Sequence, residues 1–200
     1  MSEGVIDWVA ARATMDAAAK ALQRLGAKVT ETRPPYDLRR AKDIVLAIHG
    51  PGIGGELFEK ELQKYGAEKD PAMLRILQVL RDWTKKTPAK DIETWAAELP
   101  TLRQRVLASM RDCDAVLTPV TLTPAMPHEA TWDHVVDDFV FPEIMGTVWS
   151  LPSGALRCGT SPEKLPIGVQ VVGSPGREDI VLAVMRALEK ELGGWQPSAL

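Results

Sequence analysis

The spacing of apolar residues differs between the two ends of the chain, and this difference most constrains the fold. Up to Met110, apolar residues recur mainly at steps of three and four, the period of an amphipathic helix. Further on, prolines become frequent and the apolar runs shorten, until one last helical stripe closes the chain. Gly26 and Gly193 stand where helix C-caps are expected, and Pro100 predicts a kink or a restarted helix. The stripes predict helices over residues 5–25, 38–48, 73–83, 92–110 and 178–192.

Short apolar or alternating runs predict strands between these helices. The first run, AKVTETR, stops at Pro34 and Pro35, which lack the amide that a strand ladder needs. The predicted strands lie near residues 27–33, 115–120, 153–158 and 167–173. The composition, 45% hydrophobic and 26% charged, is that of an ordinary globular protein. We therefore predict an α/β fold with a mixed β-sheet flanked by helices, as a single domain over residues 1–200.

A glycine motif in the segment DIVLAIHGPGIGGELF resembles a nucleotide-binding fingerprint. Gly50, Gly52 and Gly55 follow the pattern G-x-G-x-x-G, which cradles a pyrophosphate when it lies between a strand and a helix. Here the apolar residues before the glycines have helical spacing, and helical spacing returns where a second strand should follow. The sequence favours a glycine-rich break between helices, and a nucleotide site at Gly50–Gly55 is the less favoured alternative.

Charge and hydropathy exclude several classes of function. The net charge of −3 and the lack of a basic cluster argue against nucleic-acid binding, which needs grouped Lys and Arg. No apolar stretch approaches the roughly 18 to 20 residues of a membrane span, and the start lacks a signal-peptide pattern. The chain is therefore predicted to be cytoplasmic. Cys113 and Cys158 are expected to be buried and inert, and no cofactor is predicted.

One stretch is rich in side chains that can bind metals. Imidazole and carboxylate groups together can hold a divalent ion. Their spacing here matches no standard metal motif, so a solvated acidic loop and no metal is the prediction. The residues are His128, Glu129, Asp133, His134, Asp137 and Asp138.

Two long strings carry a resemblance to a known family. DCDAVLTPVTLTPAMP spans residues 112–127, and LPSGALRCGTSPEKLPIGVQVVGSPGREDIVLAVMRALEKELGGW spans residues 151–195. Both resemble the C-terminal part of the amidase signature hydrolases. Cys158-Gly159 and Leu165–Gln170 are in register with that family's motifs. The resemblance implies an amidase-like fold and extends over the whole chain.

The resemblance also implies which chemistry this chain holds. Members of that family cleave C–N bonds with two serines and a lysine, beside a Gly/Ser-rich loop, and all of these lie in their N-terminal half. This sequence contains no such loop, so we assign no catalytic residue here. The chain is expected to contribute pocket walls and to be inactive alone. A stand-alone binding or assembly protein built on the same fold is the alternative.

Departures from the family pattern mark the candidate substrate side. Thr147 and Ser150 stand where asparagine and glycine are common, and Arg157 stands where a proline is common. By position, Met145, Trp149 and Ser150 are the candidates for lining an acyl or aryl pocket. Ordinary packing is the alternative role for these side chains.

The resemblance further implies a partner. In that family the strands of the C-terminal part share one sheet with strands of the catalytic part. A strand left without its neighbour exposes unpaired backbone groups, which can pair with another chain. We therefore expect a homo-oligomer or a complex with a separately encoded catalytic chain.

Overall fold

The computed structural model describes residues 8–53, 60, 71–125 and 150–197. Within these residues the chain separates into two compact units. The first unit comprises residues 8–33, 107–125 and 150–197, and the second comprises residues 34–53, 60 and 71–106. The helices and strands are α1 (Trp8–Arg24), α2 (Leu38–Ile53), α3 (Pro71–Lys86), α4 (Ala89–Ser109), β1 (Ala115–Pro119), β2 (Ser153–Thr160), β3 (Pro166–Gly173) and α5 (Glu178–Leu192).

The first unit is built on a three-stranded sheet with the order β1-β3-β2. Both pairs are antiparallel, with Leu117 opposite Val171 in one and Leu156 opposite Val169 in the other. The central strand β3 is buried over nearly its whole length. Its apolar run, interrupted only by Gln170, is the pattern expected of a strand that is covered on both faces.

Helices α1 and α5 cover one face of this sheet. Their buried side chains form a core with the strands, and the core residues are Ala18, Ala21, Cys158, Val169, Val171, Val181 and Leu188. The alanines let α1 approach the sheet closely. Gly159 has the same effect on the strand side, because a Cβ there would collide with the side chain of Thr14. The core of the unit is therefore a helix-on-sheet interface built partly from small residues.

Both helices of the first unit end on glycines, as predicted. Gly26 has φ +92°, and the amides of Gly26 and Ala27 donate to the carbonyl oxygens of Gln23 and Leu22, each at 3.0 Å. This is the Schellman arrangement, which needs a residue at positive φ. Gly193 ends α5 at φ +81°, and its amide donates to Glu189 O at 3.0 Å.

The second unit contains α2, α3 and the first part of α4. Gly50 lies inside α2, where a Cβ would be 3.0 Å from Thr84 Oγ1 and 3.1 Å from the Trp83 ring. The Trp83 and Trp95 rings lie 6.1 Å apart, and the Arg40 guanidinium lies 5.1 Å from the centre of the Trp95 ring. Gly50 therefore allows a tryptophan of α3 to pack closely against α2.

The structure corrects three expectations about secondary structure. Residues 27–33 form no strand. A mixed sheet was expected, but the sheet formed by the described residues is entirely antiparallel. Helix α2 continues past Gly50 and Pro51 to Ile53, so the glycine-rich break does not begin at Gly50. Helix α4 runs through Pro100 without restarting, and the kink that Pro100 alternatively predicts stays a prediction.

The failed strand has a physical explanation. In AKVTETR only Ala27 and Val29 are apolar, and most of its residues are exposed, so the segment has little apolar surface to bury against a sheet. It is held instead by Arg12, whose guanidinium donates to both carboxylate oxygens of Glu31 at 2.9 and 3.0 Å. The segment therefore contacts α1 through this ion pair and forms no strand ladder.

The α/β class, with a small sheet flanked by helices, is confirmed. A single domain over residues 1–200 stays a prediction. Among the described residues, no helix has the length and the apolar content needed to cross a membrane.

Candidate functional site

Ser150 is the one predicted pocket residue that the structure describes. It is exposed and has φ +50°, an uncommon conformation for a residue with a side chain. Directly after it, Leu151 is buried, and Pro152 O accepts a hydrogen bond from the Gly173 amide at 2.8 Å. The turn at Ser150 is therefore fixed to the end of β3, and it places the Ser150 hydroxyl at the surface.

The other predicted pocket residues lie outside the described residues. These are Met145 and Trp149, and their placement stays a prediction; Thr147, noted as a departure from the family pattern, also lies outside the described residues. The stretch from His128 to Asp138 lies there too. Within the part of the chain that the structure describes, no three His, Cys, Asp or Glu side chains group as a metal site would require.

A polar pair lies in the sheet of the first unit, on the face opposite α1 and α5. Thr118 of β1 and Gln170 of β3 are directly opposite each other in the ladder. The Thr118 hydroxyl donates to Gln170 Oε1 at 3.1 Å, and Gln170 is only 7% exposed. A buried amide needs such a partner, because an unpaired polar group in the interior is costly.

Sequence analysis did not single out this pair. Gln170 is the one polar residue in the run IGVQVV, and this could have served as a signal for it. The pairing with Thr118, 52 positions away, depends on the register of β1 against β3. That register cannot be obtained from the local sequence.

A shallow groove lies on the other side of the first unit, between the first half of α1 and residues 158–162. Its volume is about 520 Å³. The two buried hydroxyl groups in its wall are already engaged: Thr14 donates to Ala10 O at 2.9 Å, and Ser161 Oγ accepts from the Leu165 amide at 3.3 Å. A hydrogen bond from Ser161 also lowers the pKa of Glu163. The groove therefore presents a mainly apolar wall, and it contains none of the predicted pocket residues.

The two cysteines differ in burial. Cys158 is buried in the core as predicted, and burial raises the pKa of its thiol to about 11. The expectation for Cys113 was wrong, because this residue is exposed on the turn after α4. Partial burial of its sulfur, with Asp114 and Asp112 nearby, still raises the pKa of the Cys113 thiol. Since the thiolate is the reactive form, neither cysteine is set up as a nucleophile.

The antiparallel sheet with helices on one face defines an α/β protein. Its predicted pocket residues, including Ser150, precede β2. The family model described as Amidase matches residues 9–182. The chain belongs to the amidase family.

Curated relatives and solved structures agree with this assignment. Over 150 residues the chain is 24% identical to an amidase-like protein of Synechocystis sp., covering 70% of this chain and 29% of that one. Over 87 residues it is 32% identical to a glutamyl-tRNA(Gln) amidotransferase subunit of Bartonella tribocorum, covering 40% of this chain and 17% of the relative. A solved amidase aligns with a TM-score of 0.67 at 24% identity, over 91% of this chain and 42% of that chain.

These comparisons also measure how much of an amidase the chain represents. It spans less than a third of the curated relatives above and 42% of the solved amidase. A 6-aminohexanoate cyclic dimer hydrolase gives a similar share, 41% of its length, with a TM-score of 0.64 at 20% identity. At these identities the solved structures establish the fold, while activity and substrate belong to the proposals that follow.

Proposed function

We propose that this chain is the C-terminal part of an amide-hydrolysing enzyme and supplies walls of its substrate pocket. The observation that carries the proposal is the family match over residues 9–182, together with a fold aligned over 91% of the chain. The chain corresponds to only 42% of the solved amidase, and its sequence lacks the Gly/Ser-rich loop that the family resemblance leads one to expect in the catalytic half. In this proposal the groups that break the bond come from polypeptide outside these 200 residues.

The pocket side of the chain is assigned to Met145, Trp149 and Ser150. Ser150 supports the assignment, because its hydroxyl is exposed on a turn that the hydrogen bond from Gly173 to Pro152 holds in place. Met145 and Trp149 precede it by five positions and one position and enter the proposal by sequence position alone. A methionine and a tryptophan would supply an apolar wall suited to an acyl or aryl group.

The proposal requires a partner polypeptide, either a catalytic chain or further copies of this chain. The outer edges of β1 and β2 support this, since neither pairs with another strand among the described residues. The names of two similar proteins also support a partner. One relative is a subunit of an amidotransferase. One solved structure, at 18% identity and a TM-score of 0.63, is named as a vestigial protein complex. We also propose that the chain acts in the cytoplasm.

Activity of the purified chain tests the catalytic part of the proposal. Without a nucleophile and oxyanion donors, an enzyme forfeits most of a rate enhancement worth at least about 8 kcal/mol. Assayed at high enzyme concentration against simple aryl amides and esters, the chain should show no turnover above background. Turnover that survives repurification and disappears in one of the variants Ser150→Ala, Ser153→Ala or Ser161→Ala would contradict the proposal.

A binding or assembly protein on the same fold is the second candidate. The reading frame upstream of Met1 separates the two. A continuous frame that encodes a Gly/Ser-rich loop favours the enzyme, and a separate start without any neighbouring catalytic frame favours the binding protein. Nucleotide binding through Gly50–Gly55 is the third candidate, and it is weakened because Gly50 lies inside a helix and packs on Trp83.

A further inference from the structure

Helix α5 lies close to the start of β2 because Gly154 has no side chain there. A Cβ at Gly154 would collide with Sδ of Met185, and it would lie 3.1 Å from Met185 Cε and 3.5 Å from Val181 Cγ1. Val181 and Met185 are four positions apart in α5, so they project from the same side of the helix. The sulfur of Met185 therefore packs against the backbone of β2 and fills the space that a side chain at position 154 would need.

Met185 is a half-buried residue at the border of the core. It packs against the cluster that contains Val181 and Leu188 of the same helix, while part of the residue stays open to solvent. Met110, by contrast, is only 2% exposed. Oxidation converts the apolar thioether of a methionine into a polar sulfoxide, which disrupts apolar packing. Met185 therefore combines access to an oxidant with a tight contact that oxidation would disturb.

The contact of α5 with β2 lies next to the hydrogen bond that fixes the turn at Ser150. Pro152 O accepts that bond from the Gly173 amide at 2.8 Å, and Gly154 follows Pro152 by two positions. A Cβ at Gly173 would lie 2.9 Å from Val181 Cγ2. Helix α5 therefore packs on both strands close to this hydrogen bond.

We propose that Met185 is a site of oxidation by peroxides, and that its sulfoxide releases the start of β2 and the turn at Ser150 from α5. The O–O bond of hydrogen peroxide breaks, an S–O bond forms at Sδ, and a proton moves to the leaving oxygen to give water. The sulfur is oxidised to the sulfoxide, and the peroxide is reduced. The sulfoxide is polar and one atom larger, and the sulfur is already packed against Gly154 beside Val181, so the oxidised side chain withdraws toward solvent. This effect on the turn does not depend on whether Ser150 lines a substrate pocket.

Peroxide treatment followed by hydrogen exchange tests the proposal, with Met185→Leu as the resistant variant and Met15→Leu as the matched control. Leucine keeps nearly the volume of methionine and removes the sulfur. Met15 is another half-buried methionine packed against the same core, so the control loses one sulfur and keeps Met185. Peptide mass spectrometry should find Met185 as the sulfoxide. In the oxidised wild type and in oxidised Met15→Leu, exchange of the Gly173 amide and of residues 153–155 should become at least tenfold faster. Oxidised Met185→Leu should exchange like its untreated form.

A measurement on the wild type alone covers the case in which Met185→Leu does not fold. At partial oxidation, the fast-exchanging fraction of the peptide that contains Gly173 should equal the fraction of Met185 sulfoxide, and methionine sulfoxide reductase should restore slow exchange. A Met185 that stays unoxidised in the folded chain overturns the site. Sulfoxide at Met185 with unchanged exchange overturns the release, and equal acceleration over residues 71–109 overturns the local effect.

Discussion

Replacing Gly50 by alanine separates the two explanations of the glycine motif. In the packing explanation, the new methyl group would lie 3.0 Å from Thr84 Oγ1 and 3.1 and 3.2 Å from two carbon atoms of the Trp83 ring. Overpacking of this kind costs about 1–3 kcal/mol, while alanine gains about 1 kcal/mol over glycine inside a helix. Gly50→Ala should therefore lower the free energy of unfolding by about 0–2 kcal/mol instead of raising it.

The contact with Trp83 can be isolated by a double-mutant cycle. Trp83→Leu removes two of the three close contacts at Gly50, and Trp83 is only partly buried, so the fold should tolerate this change. In the Trp83→Leu background, Gly50→Ala should cost about 1 kcal/mol less than in the wild type, because mainly the helix propensity remains. Urea unfolding followed by far-UV circular dichroism measures all four proteins.

The opposite results would refute the packing explanation. One is an alanine variant that is more stable than wild type by the full propensity gain of about 1 kcal/mol. The other is a nucleotide effect. If Gly50 belongs to a binding site, NAD, FAD or ATP at 100 times its dissociation constant should stabilise the wild type by about 2.7 kcal/mol, and Gly50→Ala should abolish this gain.

Two further predictions concern titratable groups. Because Cys158 is only 6% exposed and burial raises the pKa of its thiol to about 11, this thiol should react with a disulfide reagent at pH 8 far more slowly than a free thiol, and reaction at the rate of a free thiol would contradict its burial. Burial also raises the pKa of Asp43, so the folded state favours its neutral form. The contribution of Asp43 to the free energy of unfolding is therefore present at low pH and is lost as the pH rises through the folded pKa. Asp43→Asn should therefore reduce that loss in thermal unfolding measured between pH 3 and 7, and an unchanged pH profile would contradict it.

The apolar pattern predicted most of the described fold. The stripes before Gly26 and after Glu178 became α1 and α5, and the short runs near 115, 153 and 167 became β1, β2 and β3. These predictions succeeded because each element has an apolar surface that a neighbouring element covers. The segment AKVTETR failed for the same reason, since alternation with only two apolar residues gives a sheet too little to bury.

The candidate site was less predictable, because its contacts join distant positions. Arg157 was noted as a departure from the family pattern, but its hydrogen bond to Gly194 O joins positions 37 residues apart. Gly50 was noted for its spacing, while its role comes from Trp83 on another helix. Local sequence identifies unusual residues, and only the packed structure supplies their partners.

The pair formed by the buried Gln170 and the half-buried Thr118 allows a test of whether polar groups inside the sheet serve stability alone. Thr118→Val leaves the buried Gln170 amide oxygen without its donor, which costs about 1–3 kcal/mol when a buried group loses its partner. Replacing both residues, with Thr118→Val and Gln170→Leu, removes donor and acceptor together and should recover most of that loss. Urea unfolding of the two single variants and the double variant gives the coupling energy directly. If the double variant is as unstable as the sum of the singles, the hydrogen bond contributes nothing to the fold. The presence of two polar residues at these positions would then need another explanation, such as contact with a substrate or a partner on that face of the sheet.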